Sequence, residues 1–196
     1  MSSAPAGTRW FGARVEVPPG VTRARLVTNA DDGYTAYVNG VQVAHADADG
    51  AENWRRPALT DVTARLGSGT AVLAVAATNA SESPAGLLVA LELTSADGTV
   101  RSVPAGADWR ADDKEPPGSW TAPEFDDDAW SAAKVLAVWG SGPWGEVTPA
   151  HAPAEVWIPV AEGGADQVAH GTAKFLRTED GCAVFAASPG RHEFAT

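Results

Sequence analysis

Along the first half of the chain, short apolar runs alternate with polar positions and end at glycine, proline, asparagine or aspartate. A period of two places successive side chains on opposite faces of a strand, so these runs predict half-buried β-strands. Val15 and Val17 alternate with Arg14 and Glu16 over residues 13–17, and Pro18-Pro19-Gly20 closes the run. Residues 23–29 and 34–38 follow, and Asn39-Gly40 marks a tight hairpin into 41–44. Residues 59–66 read as an edge segment with a turn at 67–69, and 71–78 and 87–95 are the longest apolar runs. Asp97-Gly98 turns the chain into 99–103. Spacing near 3.6 is nowhere sustained for three turns, so no long helix is expected. The pattern predicts an antiparallel sandwich.

The remainder is more broken. Residues 111–123 are polar and proline-rich, a loop that aromatic side chains must pin down. Residues 125–130 predict that pin: an aspartate caps free backbone N–H groups while Phe125 and Trp130 enter the core. Tryptophan and glycine over 139–145 end the first unit, and 149–153 read as a linker. A second group of strands is expected over 155–160, 173–177, 183–187 and 191–195, with Asp180-Gly181 as a hairpin turn. Roughly forty residues are too few for an independent core without metals or disulfides. The expected organisation is a sandwich over 1–148 and a β appendage over 149–196 that docks on the sandwich or on a partner.

Composition narrows the function. The 196 residues are 44% hydrophobic, which suits a packed core, and carry a net charge of −11 with a pI near 4.6. An acidic surface repels phosphate backbones and anionic lipids, so neither nucleic acid nor a membrane is an expected partner. Surplus carboxylates do suit a divalent cation. Cys182 is the single cysteine; it allows no intrachain disulfide and reads as a small apolar residue within a strand. The first residues lack a basic segment followed by an apolar run, so no signal peptide is expected. His45, His151, His170 and His192 show no metal-ligand spacing, and no Gly-x-Ser-x-Gly elbow occurs. Glu52, Glu124 and Asp126 could serve acid–base chemistry, but no spacing singles out a pair. No catalysis is expected of the chain itself.

Three features carry candidate chemistry. Asp31-Asp32, followed by Gly33, lies between two predicted strands, where adjacent like charges repel unless a cation is held between them. Calcium accepts six to eight oxygens from carboxylates and carbonyls alike; a solvated Asp-rich turn is the plain alternative. The loop 79–86 contains Pro84 and Gly86, residues that hold turns with unpaired carbonyls. Trp54 lies in a charged loop with Asn53, Arg55 and Arg56; it either packs peripherally or offers a flat face to a sugar.

Taken in order, the run Trp10-Phe11, Val15-Glu16-Val17-Pro18, Ala24-Arg25-Leu26, Tyr34 and Tyr37-Val38-Asn39-Gly40 resembles the accessory sandwich of bacterial α-L-rhamnosidases. Asp61-Val62-Thr63, Asn79 with Pro84-Ala85-Gly86-Leu87, Phe125-Asp126-Asp127, Trp130 and Gly142-Pro143-Trp144-Gly145 extend the likeness over roughly residues 8–146. The pattern is most similar to the rhamnose-binding carbohydrate-binding modules of family sixty-seven. That resemblance implies an all-β, jelly-roll, galactose-binding-like sandwich, with extra strands here at the C-terminal end. It also implies a calcium ion held by the side chains of Asp31 and Asp32 and by the backbone carbonyls of Asn79 and Pro84. L-rhamnose would complete the calcium shell, with Asp31, Asp32, Asn79 and a stacking Trp54 as sugar contacts. Asp32 departs from the family, whose pattern has asparagine there; a second carboxylate adds charge and removes an amide donor. Residues 154–159, Lys174-Phe175-Leu176-Arg177, Ala183-Val184-Phe185 and 190–194 resemble the last strands of the same enzymes' C-terminal sandwich, which implies a catalytic rhamnosidase domain as a partner. A scaffold domain without sugar binding is the other reading.

Overall fold

The computed structural model describes residues 3–49, 53–137, 154–160, 168, 173–179 and 182–187. They form two compact units, residues 1–150 and 151–196. The expected 139–145 segment, the 149–153 linker, the Asp180-Gly181 turn and the 191–195 strand lie outside the described residues, as do Glu52, His151, His170 and His192. Among the described residues the only helical turns are two 3-10 turns, Asn53–Arg55 and Thr63–Arg65.

The first unit is an antiparallel β-sandwich. Strands β1 (Gly7–Val17), β2 (Val21–Ala30), β3 (Gly33–Val38), β4 (Val41–Ala46), β5 (Ala58–Asp61), β6 (Gly69–Asn79), β7 (Leu87–Ser95), β8 (Val100–Pro104), β9 (Arg110–Asp112) and β10 (Ser131–Ala132) make two sheets. One has the order β10-β9-β1-β6-β3-β4, the other β5-β2-β7-β8. The period-two pattern decides what they bury. Ala13, Val15 and Val17 of β1, Ala71, Leu73 and Val75 of β6, and Tyr34, Ala36 and Val38 of β3 face Ala24 and Leu26 of β2 and Val89, Leu91 and Leu93 of β7. Cross-strand partners alternate in size, Ala13 opposite Leu73, Ala24 opposite Leu93 and Ala36 opposite Val75, which lets the two faces interdigitate. Leu26, Leu73, Leu91 and Leu93 are fully buried, each contributing about 1.5–3 kcal/mol relative to an exposed position.

The boundaries depart from the pattern in three places. β1 begins at Gly7, six residues earlier than its alternation shows. The expected 59–66 edge strand stops at Asp61, whose Oδ1 accepts the Thr63 N–H at 2.9 Å and bends the chain into a 3-10 turn. The loop expected at 111–123 begins as β9, paired with β1.

Beyond β9 the chain crosses the outer face of the larger sheet. Asp126 caps the Asp128 N–H at 3.0 Å, as expected of that turn. The aromatic pin, however, sits outside the inter-sheet core. Trp130 is buried over Gly12, with Phe125 edge-on at 5.6 Å and Trp120 tilted at 6.2 Å. Trp109 and Tyr34 are the buried aromatics that join the main core.

In the second unit β11 (Ala154–Pro159), β12 (Lys174–Glu179) and β13 (Cys182–Ala187) form a sheet of order β11-β13-β12. Val168, Ala173, Ala183 and Phe185 make its core, and Cys182 lies in strand β13 as expected, half-buried rather than buried.

Candidate functional site

At one rim of the sandwich, β2 passes to β3 through Asp31 and Asp32, and this turn is bonded to the segments on both sides of it. Toward β6 and β7, the Asp31 N–H donates to the Gly86 carbonyl at 3.1 Å and the Asp32 N–H to the Thr78 carbonyl at 3.1 Å. One carboxylate oxygen of Asp32 accepts the Ala80 N–H at 2.7 Å, a charge-assisted bond that holds the start of the loop against the turn. Toward β4 and β5, the Asn53 amide donates to the carbonyls of Asp32 at 2.8 Å and Asp47 at 2.6 Å. The Asn29 amide donates to the Trp54 carbonyl.

The loop carrying Asn79 and Pro84 is braced from a third side. Ala4 and Ser83 exchange backbone hydrogen bonds at 2.8 and 3.3 Å. Asn79, which is buried, donates to the carbonyls of Ala4 and Pro5 at 3.0 and 3.3 Å and accepts from the Ser83 hydroxyl at 2.9 Å. Both hydrogens of its amide are thereby used, so what it has to offer a ligand is oxygen lone pairs. Pro84 is exposed one residue beyond the Ser83 anchor.

Trp54 is half-buried in the 3-10 turn, and the Arg55 guanidinium lies over its ring, 4.5 Å from the centroid. One face of the indole is therefore taken. Tyr34, next to the acidic turn, is buried, and desolvation pushes its hydroxyl above the ordinary phenol range; it adds no charge to the rim. Among the described residues no group of three or more His, Cys, Asp or Glu side chains is placed to hold a metal. Any cation at this rim would need backbone carbonyls beside the two aspartates.

The acid–base candidates fall elsewhere. Glu124 and Asp126 are exposed, and Asp126 is occupied as a cap. His45 bridges the Thr35 hydroxyl and the Asp47 carboxylate, both at 2.9 Å, in a half-exposed position.

The chain is 47% identical over 149 residues to an α-L-rhamnosidase of Streptomyces avermitilis. It is homologous to part of a rhamnosidase. The match covers 76% of this chain and 14% of the relative, so the chain spans a small portion of that rhamnosidase. A crystal structure of Streptomyces avermitilis α-L-rhamnosidase complexed with L-rhamnose superimposes with a TM-score of 0.74 at 44% identity, over 80% of this chain and 16% of that one. The lectin of Pleurotus ostreatus, solved in complex with GalNAc, matches with a TM-score of 0.65 at 26% identity, over 81% of this chain and 47% of the lectin. No family model matches the chain.

Within this rhamnosidase-related sandwich, hydrogen bonds tie the Asp31-Asp32 turn to the backbone of Thr78, Ala80 and Gly86 on one side and, through Asn53, to the 3-10 turn of Trp54 on the other, while Asn79 is held by Ala4, Pro5 and Ser83. Sequence reasoning passed over the residues that join them: Asn29, Asn53, and the Ala4-Pro5 segment. An asparagine beside a loop tryptophan is their only sequence signal, and it does not say which carbonyls the amide reaches.

Proposed function

We propose that the chain is a non-catalytic sugar-binding module, calcium-dependent and directed to terminal L-rhamnose, serving an α-L-rhamnosidase domain. One observation carries the reading: the Asp31-Asp32 turn is bonded on one side to the Asn79–Pro84 loop and on the other to the loop bearing Trp54. Hard oxygen donors together with an aromatic ring would meet the two needs of a sugar, its hydroxyls and its C–H face. The L-rhamnose held by the homologous Streptomyces structure and the GalNAc held by the lectin support a carbohydrate as ligand.

The donor set fits calcium in kind. Asp31 and Asp32 would supply carboxylate oxygens, and Asn79 and Pro84 backbone carbonyls, all hard ligands. With two carboxylates, affinity would be modest. Calcium bound there would supply open coordination to the sugar's hydroxyls. The residues do the rest: the face of Trp54 opposite Arg55 would receive the apolar face of the ring.

Calorimetric titration with L-rhamnose, in calcium and in chelator, tests the reading. Heat that requires calcium is expected, with affinity in the high-micromolar to millimolar range because few atoms are buried. Silence in both buffers would leave a scaffold domain, and release of rhamnose from an aryl rhamnoside would make the chain an enzyme.

A further inference from the structure

Asn53 has no side-chain donor free for a ligand. Its amide nitrogen carries two hydrogens, and it donates to the carbonyls of Asp32 at 2.8 Å and Asp47 at 2.6 Å. These carbonyls lie on different segments, one in the β2–β3 turn and one just past β4. Asn53 also opens the 3-10 turn: its own carbonyl accepts the Arg56 N–H at 2.9 Å, so the turn that carries Trp54 is hung from the same residue. A second amide, that of the buried Asn29, donates to the Trp54 carbonyl and fixes the turn from the β2 side. The contact is close on the backbone side as well, since Gly33 leaves no room for a side chain against Ala46 and Ala48.

We infer that Asn53 is the positioning residue that sets the distance between the Trp54 indole and the acidic turn, and so selects for the sugar without holding the cation. This rests on the sugar-binding reading above. A cation at Asp31 and Asp32 would be held by those side chains and by the 79–86 loop, whose bonds to the turn do not involve Asn53. The indole belongs to a different loop, and a sugar bridges the two only if their separation matches one ring. Without the amide clamp the turn keeps its bonds to β6 and β7, while the Trp54 loop loses its two bonds to the Asp32 and Asp47 carbonyls and keeps, among the described residues, the Asn29 bond to the Trp54 carbonyl. Calcium affinity is then preserved and sugar affinity is lost, a split that a general loss of structure does not produce.

The test uses the full chain and calorimetry with two titrants, calcium chloride alone and L-rhamnose at saturating calcium. Asn53→Ala is expected to leave calcium affinity within about twofold and to weaken L-rhamnose by about tenfold or more, as two hydrogen bonds and an aligned contact are lost. Asn53→Asp, equal in shape but without donors, is expected to be at least as poor. Asn53→Ser, which returns one donor, is expected to recover part of the affinity and serves if the alanine variant unfolds. Unchanged L-rhamnose affinity in Asn53→Ala overturns the positioning role, as does a parallel loss of calcium and sugar. A wild-type chain indifferent to both titrants overturns the sugar-binding reading itself, and the role of Asn53 with it.

Discussion

Gly33 stands so close to Ala48 that a Cβ at position 33 would lie 2.6 Å from the Ala48 nitrogen and 2.7 Å from its Cα. Both obstacles are backbone, which cannot swing aside as a side chain would. The glycine therefore lets the chain just past β4 lie directly against the residue after Asp32. Gly33→Ala is expected to push the two segments apart at a cost of about 1–3 kcal/mol, read as a lower urea midpoint with an unchanged m-value. An unchanged midpoint would mean that the β3 end yields freely and that the close approach has no structural weight.

The aromatic covering of the larger sheet depends on a charge pair beneath it. Arg14 reaches Asp127 at 2.6 Å, and the Asp127 side chain is 13% exposed while that of Arg14 is 44% exposed. Half-exposure of the arginine limits the Coulomb gain. The sheltered carboxylate matters more, because it must stay paired wherever it is kept. Asp127→Ala is expected to destabilise the sandwich by about 1–2 kcal/mol, and Arg14→Met by more, since it leaves the Asp127 carboxylate and the Phe125 carbonyl without the guanidinium. Chemical denaturation of the two variants ranks them; the opposite order would place the stability in the space that Asp127 fills rather than in its pairing.

Much of the sandwich was legible because its core obeys a period of two. Val15, Val17, Leu73 and Leu91 are apolar at alternating positions, and those positions face the core. The signal fails where both faces are covered. Gly12 lies under Trp130, so the position where a polar residue would announce the outward face is a glycine, and the first half of β1 is silent. It fails again at Asp61, where a local carboxylate–backbone bond ends a strand whose apolar spacing continues through Val62 and Leu66. For the rim, Asp31, Asp32 and Trp54 could be singled out by residue type and by the resemblance. The clamp at Asn53 could not, since a bond between a side-chain amide and carbonyls far along the chain leaves no periodic trace.

Two aspartates tie turns by accepting backbone N–H groups: Asp61 from Thr63 and Asp97 from Thr99, each at 2.9 Å. Hydrogen bonds from Thr63, side chain and then backbone, hold the Asp61 carboxyl below its ordinary range, and the backbone bond from Thr99 does the same for Asp97. A carboxyl depressed in the folded state binds its proton more readily once unfolded. Its contribution is therefore complete above the unfolded value and is lost as pH falls through the folded one. Melting temperature is expected to drop as pH is lowered below roughly 4. Replacing both by asparagine, which keeps an acceptor that does not titrate, should make that drop shallower. An acid limb of identical slope in the double variant would assign it to other carboxylates.

Asp31 and Trp54 should separate the two halves of the proposed site. Asp31 is half-buried in a turn and the apolar core is built without it, so Asp31→Ala is expected to keep a cooperative fold while abolishing calcium-dependent binding of L-rhamnose. Trp54→Ala is expected to keep calcium binding and to weaken the sugar by about 1–3 kcal/mol, the value of an aromatic face removed from a desolvated contact. The double variant discriminates further. If cation and indole grip the same sugar, the chain without Asp31 has no L-rhamnose heat left for the indole to supply. Calcium-independent binding that persists in Asp31→Ala and disappears when Trp54→Ala is added would place the indole and the cation at separate ligands and undo the single-site reading.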